Sequence, residues 1–182
     1  MPDLQQAWAF LRNSEPIASA EQVDAAVRRV AGEIEAKLGG SYPLVLAVMG
    51  GAVVFAGQLL PMLRFPIDFD YIHASRYGTA TRGTGLEWRV SPPTVAKGRT
   101  VLVVDDILDH GDTMAAIKAR LLELGAQSVY CAVLVDKILD KKKPIKPDFT
   151  GLSIPDRFVF GCGMDAKGYW RNLPEIRAMK EG

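Results

Sequence analysis

Apolar positions along this chain follow two rhythms. Val23, Val27, Val30, Ile34 and Leu38 recur at three- and four-residue steps, the stripe of a helix with one buried face. Ser19 opens that run with Gln22 three residues on, a capping-box spacing, and Gly39-Gly40 closes it. Elsewhere the apolar residues are contiguous. Residues 43–48, 100–104 and 129–135 are runs of Val, Leu, Ala, Cys and similar residues bounded by turn signals. Such runs predict strands buried on both faces.

Helical segments are predicted over 53–63 and 113–124, between these strands. Residues 65–73 alternate and read as a strand. Residues 76–85 hold three glycines and two arginines and read as a mobile loop, with 87–90 a short returning strand. Residues 149–154 and 158–160 read as further strands, and the tail from 168 onward is expected to end in a short helix. Residues 1–16 show no pattern that can be interpreted. Apolar strands alternating with helices predict an α/β fold, with a parallel sheet covered on both faces. In such sheets ligands bind beyond the carboxyl ends of the strands. That directs attention to Met49-Gly50-Gly51, to 105–113 and to Asp136-Lys137.

Composition narrows the functional classes. The 182 residues carry 22 Lys or Arg against 21 Asp or Glu, a net charge of +1. This balance argues against a dedicated nucleic-acid or membrane-surface binder. No apolar run approaches the roughly 18 residues of a membrane span, and residues 1–12 lack the features of a secretion signal. Cys131 and Cys162 both fall in apolar, strand-like segments, so two buried thiols in a reducing cytoplasm are expected. With His73 and His110 the only histidines and no Cys-x-x-Cys pair, zinc is not expected.

The chemistry concentrates in Val101-Leu102-Val103-Val104-Asp105-Asp106-Ile107-Leu108-Asp109-His110-Gly111-Asp112-Thr113. Four apolar residues supply a strand and two acids follow at its end. A short loop with Gly111 then feeds a helix whose first N–H groups are available to a phosphate. A phosphate beside paired carboxylates suits a sugar phosphate, the acids accepting from hydroxyls or holding Mg²⁺ through water. A plain strand-to-helix turn with an acidic cap has the same spacing.

These thirteen residues resemble the phosphoribosyl-pyrophosphate (PRPP) signature of the type I phosphoribosyltransferases. Asp109, at the variable position after Ile107-Leu108, is the residue typical of the branch acting on 6-oxopurines. Residues 43–173 as a whole are similar to the bacterial hypoxanthine-guanine phosphoribosyltransferases. Val135-Asp136-Lys137, Ile154-Pro155-Asp156-Arg157-Phe158-Val159, and Asp165 with Arg171 and Leu173-Pro174 match further family segments in the right order. The resemblance implies one domain over 1–182: a mainly parallel central sheet flanked by helices, a small hood from the N- and C-terminal segments, and a flexible catalytic loop.

It also implies roles. The expected reaction joins hypoxanthine or guanine to the phosphoribosyl group of PRPP, releasing pyrophosphate. Asp109 would accept the proton at N7 of the purine. Asp105 and Asp106 would bind ribose hydroxyls with Mg²⁺ nearby, and His110, Gly111, Asp112 and Thr113 would wrap the 5′-phosphate. Gly50, Gly51 and Arg171 would meet pyrophosphate. Lys137 would donate to O6 of the base, Phe158 would stack on it, Val159 would offer main-chain contacts, and Asp165 would sit near the exocyclic edge and a second Mg²⁺. A homodimer or homotetramer in the cytoplasm is implied, with no nucleic-acid or membrane partner.

Three positions depart from the family pattern. Met49 stands where a lysine often precedes the glycines, and the resemblance implies a cis peptide before Gly50. Ser75-Arg76-Tyr77-Gly78 carries arginine where the flexible loop usually has serine, so Arg76 or Arg82 is expected to supply charge that Met49 lacks. His110 replaces a hydroxyl residue, and its imidazole either donates to the phosphate or points away. A PRPP-sensing regulator on the same fold is the alternative function. Against it, a DNA-binding version needs a further module and an RNA-binding version a basic face, which only the lysines of 141–146 offer. A generic NTPase is disfavoured, since no Gly-x-x-x-x-Gly-Lys-Ser/Thr occurs.

Overall fold

The computed structural model describes residues 3–76 and 86–180. Its centre is a six-stranded sheet in the order β4-β3-β2-β5-β6-β7. The members are β2 (Leu44–Val48), β3 (Asp68–Arg76), β4 (Leu86–Val90), β5 (Thr100–Leu108), β6 (Ser128–Ile138) and β7 (Phe149–Pro155). β2, β3, β5, β6 and β7 run parallel, and β4 returns antiparallel along β3.

The contiguous apolar runs serve both faces of the sheet. On β5, Leu102 and Val104 pack under α2 (Ala20–Leu38) and α3 (Val53–Leu59). Val101 and Val103 alternate to the other side, under Met114, Ile117 and Leu121 of α4 (Asp112–Glu123). α2 buries the predicted stripe, and the Ser19 side chain and Gln22 close a reciprocal capping box at its start. Pro61 breaks the predicted 53–63 helix, since it cannot donate within an α-helix, and 60–62 form a 3₁₀ turn.

A second, three-stranded sheet is built from both chain ends, in the order β1-β9-β8. It joins β1 (Ser14–Ala18), β8 (Val159–Phe160) and β9 (Ile176–Met179), all antiparallel. The expected C-terminal helix is therefore a strand. Ile176 and Ala178 are fully buried while Arg177 and Met179 are not, and that period of two decides the outcome.

Within the segment unreadable in sequence, residues 3–16 supply a further helix, α1 (Leu4–Arg12), capped by Asp3, and the start of β1. α1 docks on Tyr169 and Trp170. The Trp170 indole N–H donates to the Ala7 carbonyl at 2.6 Å, and the Trp8 and Trp170 rings meet edge-on at 5.1 Å. Cys131 lies in β6 as expected. Cys162 instead occupies a turn at φ 51°. Burial pushes both thiols up to about 12. Among the described residues, no helix is long and apolar enough to cross a membrane.

Candidate active site

β5 runs further than its apolar residues suggest. Asp105 and Asp106 lie within the strand, with Asp105 opposite Val133 and Leu108 opposite Asp136 on β6. The chain then turns through Asp109 and His110 to Gly111, at φ 87°, and enters α4. A side chain at Gly111 would carry backbone strain and would approach Ile145 Cγ2 at 3.3 Å. The N-cap, Gly111, makes no side-chain capping hydrogen bond, and the first N–H groups of a helix suit an anion.

A cavity of about 460 Å³ opens at this end of the sheet. Its floor is 105–113, which includes Asp105, Asp106, Asp109, His110, Gly111, Asp112 and Thr113. Met49, Gly50 and Gly51 form one wall, and Asp165 and Arg171 another. The Met49–Gly50 peptide is cis, as the resemblance implied.

Two glycines let these walls close on the floor. A Cβ on Gly51 would fall 2.0 Å from Asp106 Oδ2, and a Cβ on Gly163 would fall 2.0 Å from the Gly51 carbonyl oxygen. Gly51, Asp106 and Gly163 therefore interlock. Arg171 is tied to the same junction. Its guanidinium pairs with the Asp165 carboxylate and donates to the Gly163 carbonyl at 2.5 Å. The other Asp165 oxygen accepts the Gly168 N–H at 2.6 Å.

The floor is electrostatically loaded. Burial drives the Asp105 carboxyl well above the usual aspartate range, and the neighbouring Asp106 charge adds to the effect. Asp106 is also raised by burial, against the favourable charge of Arg171. An acid pair of this kind, Asp106 buried and Asp105 half-buried, calls for a cation or for hydroxyl donors. Among the described residues, no three His, Cys, Asp or Glu side chains converge on one metal position. Two adjacent carboxylates still fit Mg²⁺, which takes one or two carboxylates and fills its other positions with water and phosphate oxygens.

Lys137, Phe158 and Val159 do not line this cavity. Lys137 is joined to it through Asp109. Near the end of β6, Lys137 Nζ lies 3.4 Å from Asp109 Oδ2 and 3.6 Å from Asp156 Oδ1. Among the described residues, Asp109 Oδ1 is buried and accepts no hydrogen bond. Phe158 is 51% exposed, while Val159 is buried in β8 opposite Ala178. Ser75 and Arg76 end β3, paired with Glu87 and Leu86 of β4. Tyr77, Gly78 and Arg82 of the expected loop lie outside the described residues.

A phosphoribosyl transferase domain matches residues 14–167. The hypoxanthine-guanine phosphoribosyltransferase of Bacillus subtilis is 31% identical over 163 residues, which is 89% of this chain and 91% of that one. The chain belongs to the phosphoribosyltransferase family, on its hypoxanthine-guanine branch. The corresponding enzyme of Lactococcus lactis is 35% identical over 142 residues, 78% of this chain and 77% of that one. A crystal structure of a hypoxanthine-guanine phosphoribosyltransferase from Bacillus anthracis superposes with a TM-score of 0.82 at 29% identity, covering 90% of this chain and 95% of that one.

The family match begins after α1 and ends before Arg171. Both the docked helix and the arginine of the far wall thus lie beyond it. Sequence reasoning passed over three residues that shape this phosphoribosyltransferase crevice. Asp156 carries no signal beyond its place in a matching segment, though it flanks Lys137. Gly163 had a signal in the Gly161-Cys162-Gly163 pattern, where alternate glycines suggest close backbone approach. Lys143 had none, because it sits in a run of three lysines that reads as a solvated loop.

Proposed function

We propose that this enzyme transfers the 5-phosphoribosyl group of PRPP to hypoxanthine or guanine, giving IMP or GMP and pyrophosphate. One observation carries the reading. The ion pair of Asp109 with Lys137 joins the acidic floor to a half-buried ammonium donor near the end of the next strand. A 6-oxopurine needs both groups: a donor for O6 and an acceptor for a ring N–H.

In the reaction, N9 of the purine bonds to C1 of the ribose as the bond from C1 to pyrophosphate oxygen breaks. The N7 proton passes to Asp109. Its Oδ1, buried and without a donor among the described residues, supports that role, since such a carboxylate oxygen readily accepts an N–H. Lys137 orients the base through O6. Against adenine it would face an amino group and be left unsatisfied, which costs affinity. Phe158 offers an exposed ring for stacking and Val159 its backbone.

Asp105 and Asp106 accept from the ribose hydroxyls, while His110, Gly111, Asp112 and Thr113 at the amino end of α4 hold the 5′-phosphate. Gly50, Gly51 and Arg171 receive pyrophosphate, whose growing charge a guanidinium suits. Mg²⁺ held at Asp105 and Asp106 would neutralise charge on the departing pyrophosphate. Asp165 would serve a second ion only on giving up Arg171. Ser75, Arg76, Tyr77 and Gly78 would belong to a segment closing over PRPP, excluding water from an oxocarbenium-like centre. A cytoplasmic homodimer or homotetramer fits this reading, and light scattering on the purified protein would decide between them.

The test is a spectrophotometric assay with PRPP, Mg²⁺ and each base in turn. Turnover of hypoxanthine or guanine with little of adenine is expected. Turnover of none of these bases would remove the proposal and favour a PRPP-binding regulator.

A further inference from the structure

The base-handling pair has an unassigned support. Lys143, only 12% exposed, lies in the lysine run after β6. Its Nζ donates to the Leu108 carbonyl at 2.7 Å and to Asp136 Oδ1 at 2.6 Å. Leu108 and Asp136 are cross-strand partners, where the ladder between β5 and β6 ends. Leu108 immediately precedes Asp109, and Asp136 immediately precedes Lys137. One ammonium therefore staples both strands one residue before each carries its functional side chain.

The same segment supports the adjoining loop. Lys143 Cβ, Pro144 Cδ and Ile145 Cγ2 all lie within 3.6 Å of where a Gly111 Cβ would stand. The neighbouring Lys141 and Lys142 are exposed, so three like residues in a row divide into two solvated side chains and one that is turned inward.

We propose that Lys143 is a positioning residue for the Asp109–Lys137 pair, acting through the Leu108 carbonyl and the Asp136 carboxylate. The proposal rests on the reading that Asp109 and Lys137 handle the base. Removing the staple frees two strand ends that bear the proton acceptor and the O6 donor. It leaves Asp105 and Asp106 inside the ladder, further from the break. Loss should therefore fall on the base and spare PRPP. Displacement of a reacting group by about 1 Å costs up to roughly 100-fold, which sets the scale.

The experiment compares Lys143→Met, Lys143→Arg and Lys141→Met with the wild type in steady-state assays, with melting temperatures measured alongside. Wild-type turnover of hypoxanthine or guanine tests the underlying reading by itself, whatever the variants do. Given that turnover, Lys143→Met is expected to lose ~10–100-fold in kcat/KM for the base, with the KM for PRPP within about twofold. Lys143→Arg should recover most of the loss, because it keeps the donors, and Lys141→Met should match wild type. The proposal is overturned if Lys143→Met keeps wild-type kcat/KM for the base. It is equally overturned if base and PRPP parameters fall together with the melting temperature, or if Lys141→Met does the same damage.

Discussion

The two sides of the crevice are built in opposite ways. The floor, where we propose the sugar phosphate binds, is one unbroken stretch, 105–113, leaving a strand and entering a helix. The side proposed to take base and pyrophosphate is assembled from Lys137 on β6, Asp156, Phe158, Val159, Asp165 and Arg171. It is held by contacts between segments far apart in the chain, such as Gly163 against Gly51. A contiguous site needs only local geometry to be right. An assembled site needs the packing of several segments to be right at once, so its weak points lie at junctions rather than at functional side chains.

The sharpest way to break that contrast is at Asp109, where the two sides meet. Asp109→Asn keeps the shape and a hydrogen-bonding oxygen but removes the base. We expect kcat to fall roughly 10²–10⁴-fold, the scale of general-base loss, with the KM for PRPP little changed. Steady-state kinetics in both substrates checks this, and a near-normal kcat would remove Asp109 from the chemistry.

Lys137 tests the assembled side alone. Lys137→Ala removes the proposed O6 donor and leaves Asp109 and Asp156 facing each other without a cation. A loss of about 10–100-fold in kcat/KM for hypoxanthine is expected, the usual range for a hydrogen bond to a charged group. Adenine turnover, expected to be low in the wild type, should not fall in proportion. Equal losses for both bases would mean that Lys137 does not read the 6-position.

The same contrast explains how much of the molecule was legible in its sequence. Long contiguous apolar runs and the helical stripe of α2 report their own structure, because burial on one or both faces dictates their residue types directly. The floor was legible because its residues are consecutive. β9 was not: its four residues are too few for a period of two to stand out, and their burial depends on β1, over 150 residues earlier in the chain. Lys143 is the clearest case. Its composition says solvent, and only the turn after β6 directs it to Leu108 and Asp136. α1 gave no sign either, since its anchors Tyr169 and Trp170 lie at the other end of the chain.

Junction weakness is measurable at glycine. Gly163→Ala forces a Cβ onto the Gly51 carbonyl at a position with φ 100°. Gly168→Ala, at φ 87°, meets nothing within 4 Å. Gly168→Ala should cost about 1 kcal/mol from backbone strain alone. Gly163→Ala should cost roughly 2–4 kcal/mol, lowering the melting temperature by about 2–4 °C per kcal/mol, and should raise the KM for PRPP. Equal melting temperatures for the two variants would show that the interlock yields without cost.

The contiguous floor has a liability of its own, visible as pH dependence. The Asp105 carboxyl is raised in the folded protein, first by burial and then by Asp106. The folded state therefore holds this proton more tightly than the unfolded chain, whose aspartates titrate near ~3.9. Between that value and the raised one the folded state binds more protons, so stability falls as pH rises through the window. Above it, the full cost of the buried charge is present. Asparagine has no proton to lose, so Asp105→Asn should match wild type below about pH 4 and exceed it increasingly at higher pH. A gain on the order of 1 kcal/mol at neutral pH in the absence of ligands, or ~2–4 °C, is the expected scale for relieving strain at a functional site. The variant should bind PRPP poorly. Melting curves across pH decide the matter: a stability difference that is flat from acid to neutral would mean that the floor carries no such electrostatic cost, and that its acids are solvated as freely as those on the surface.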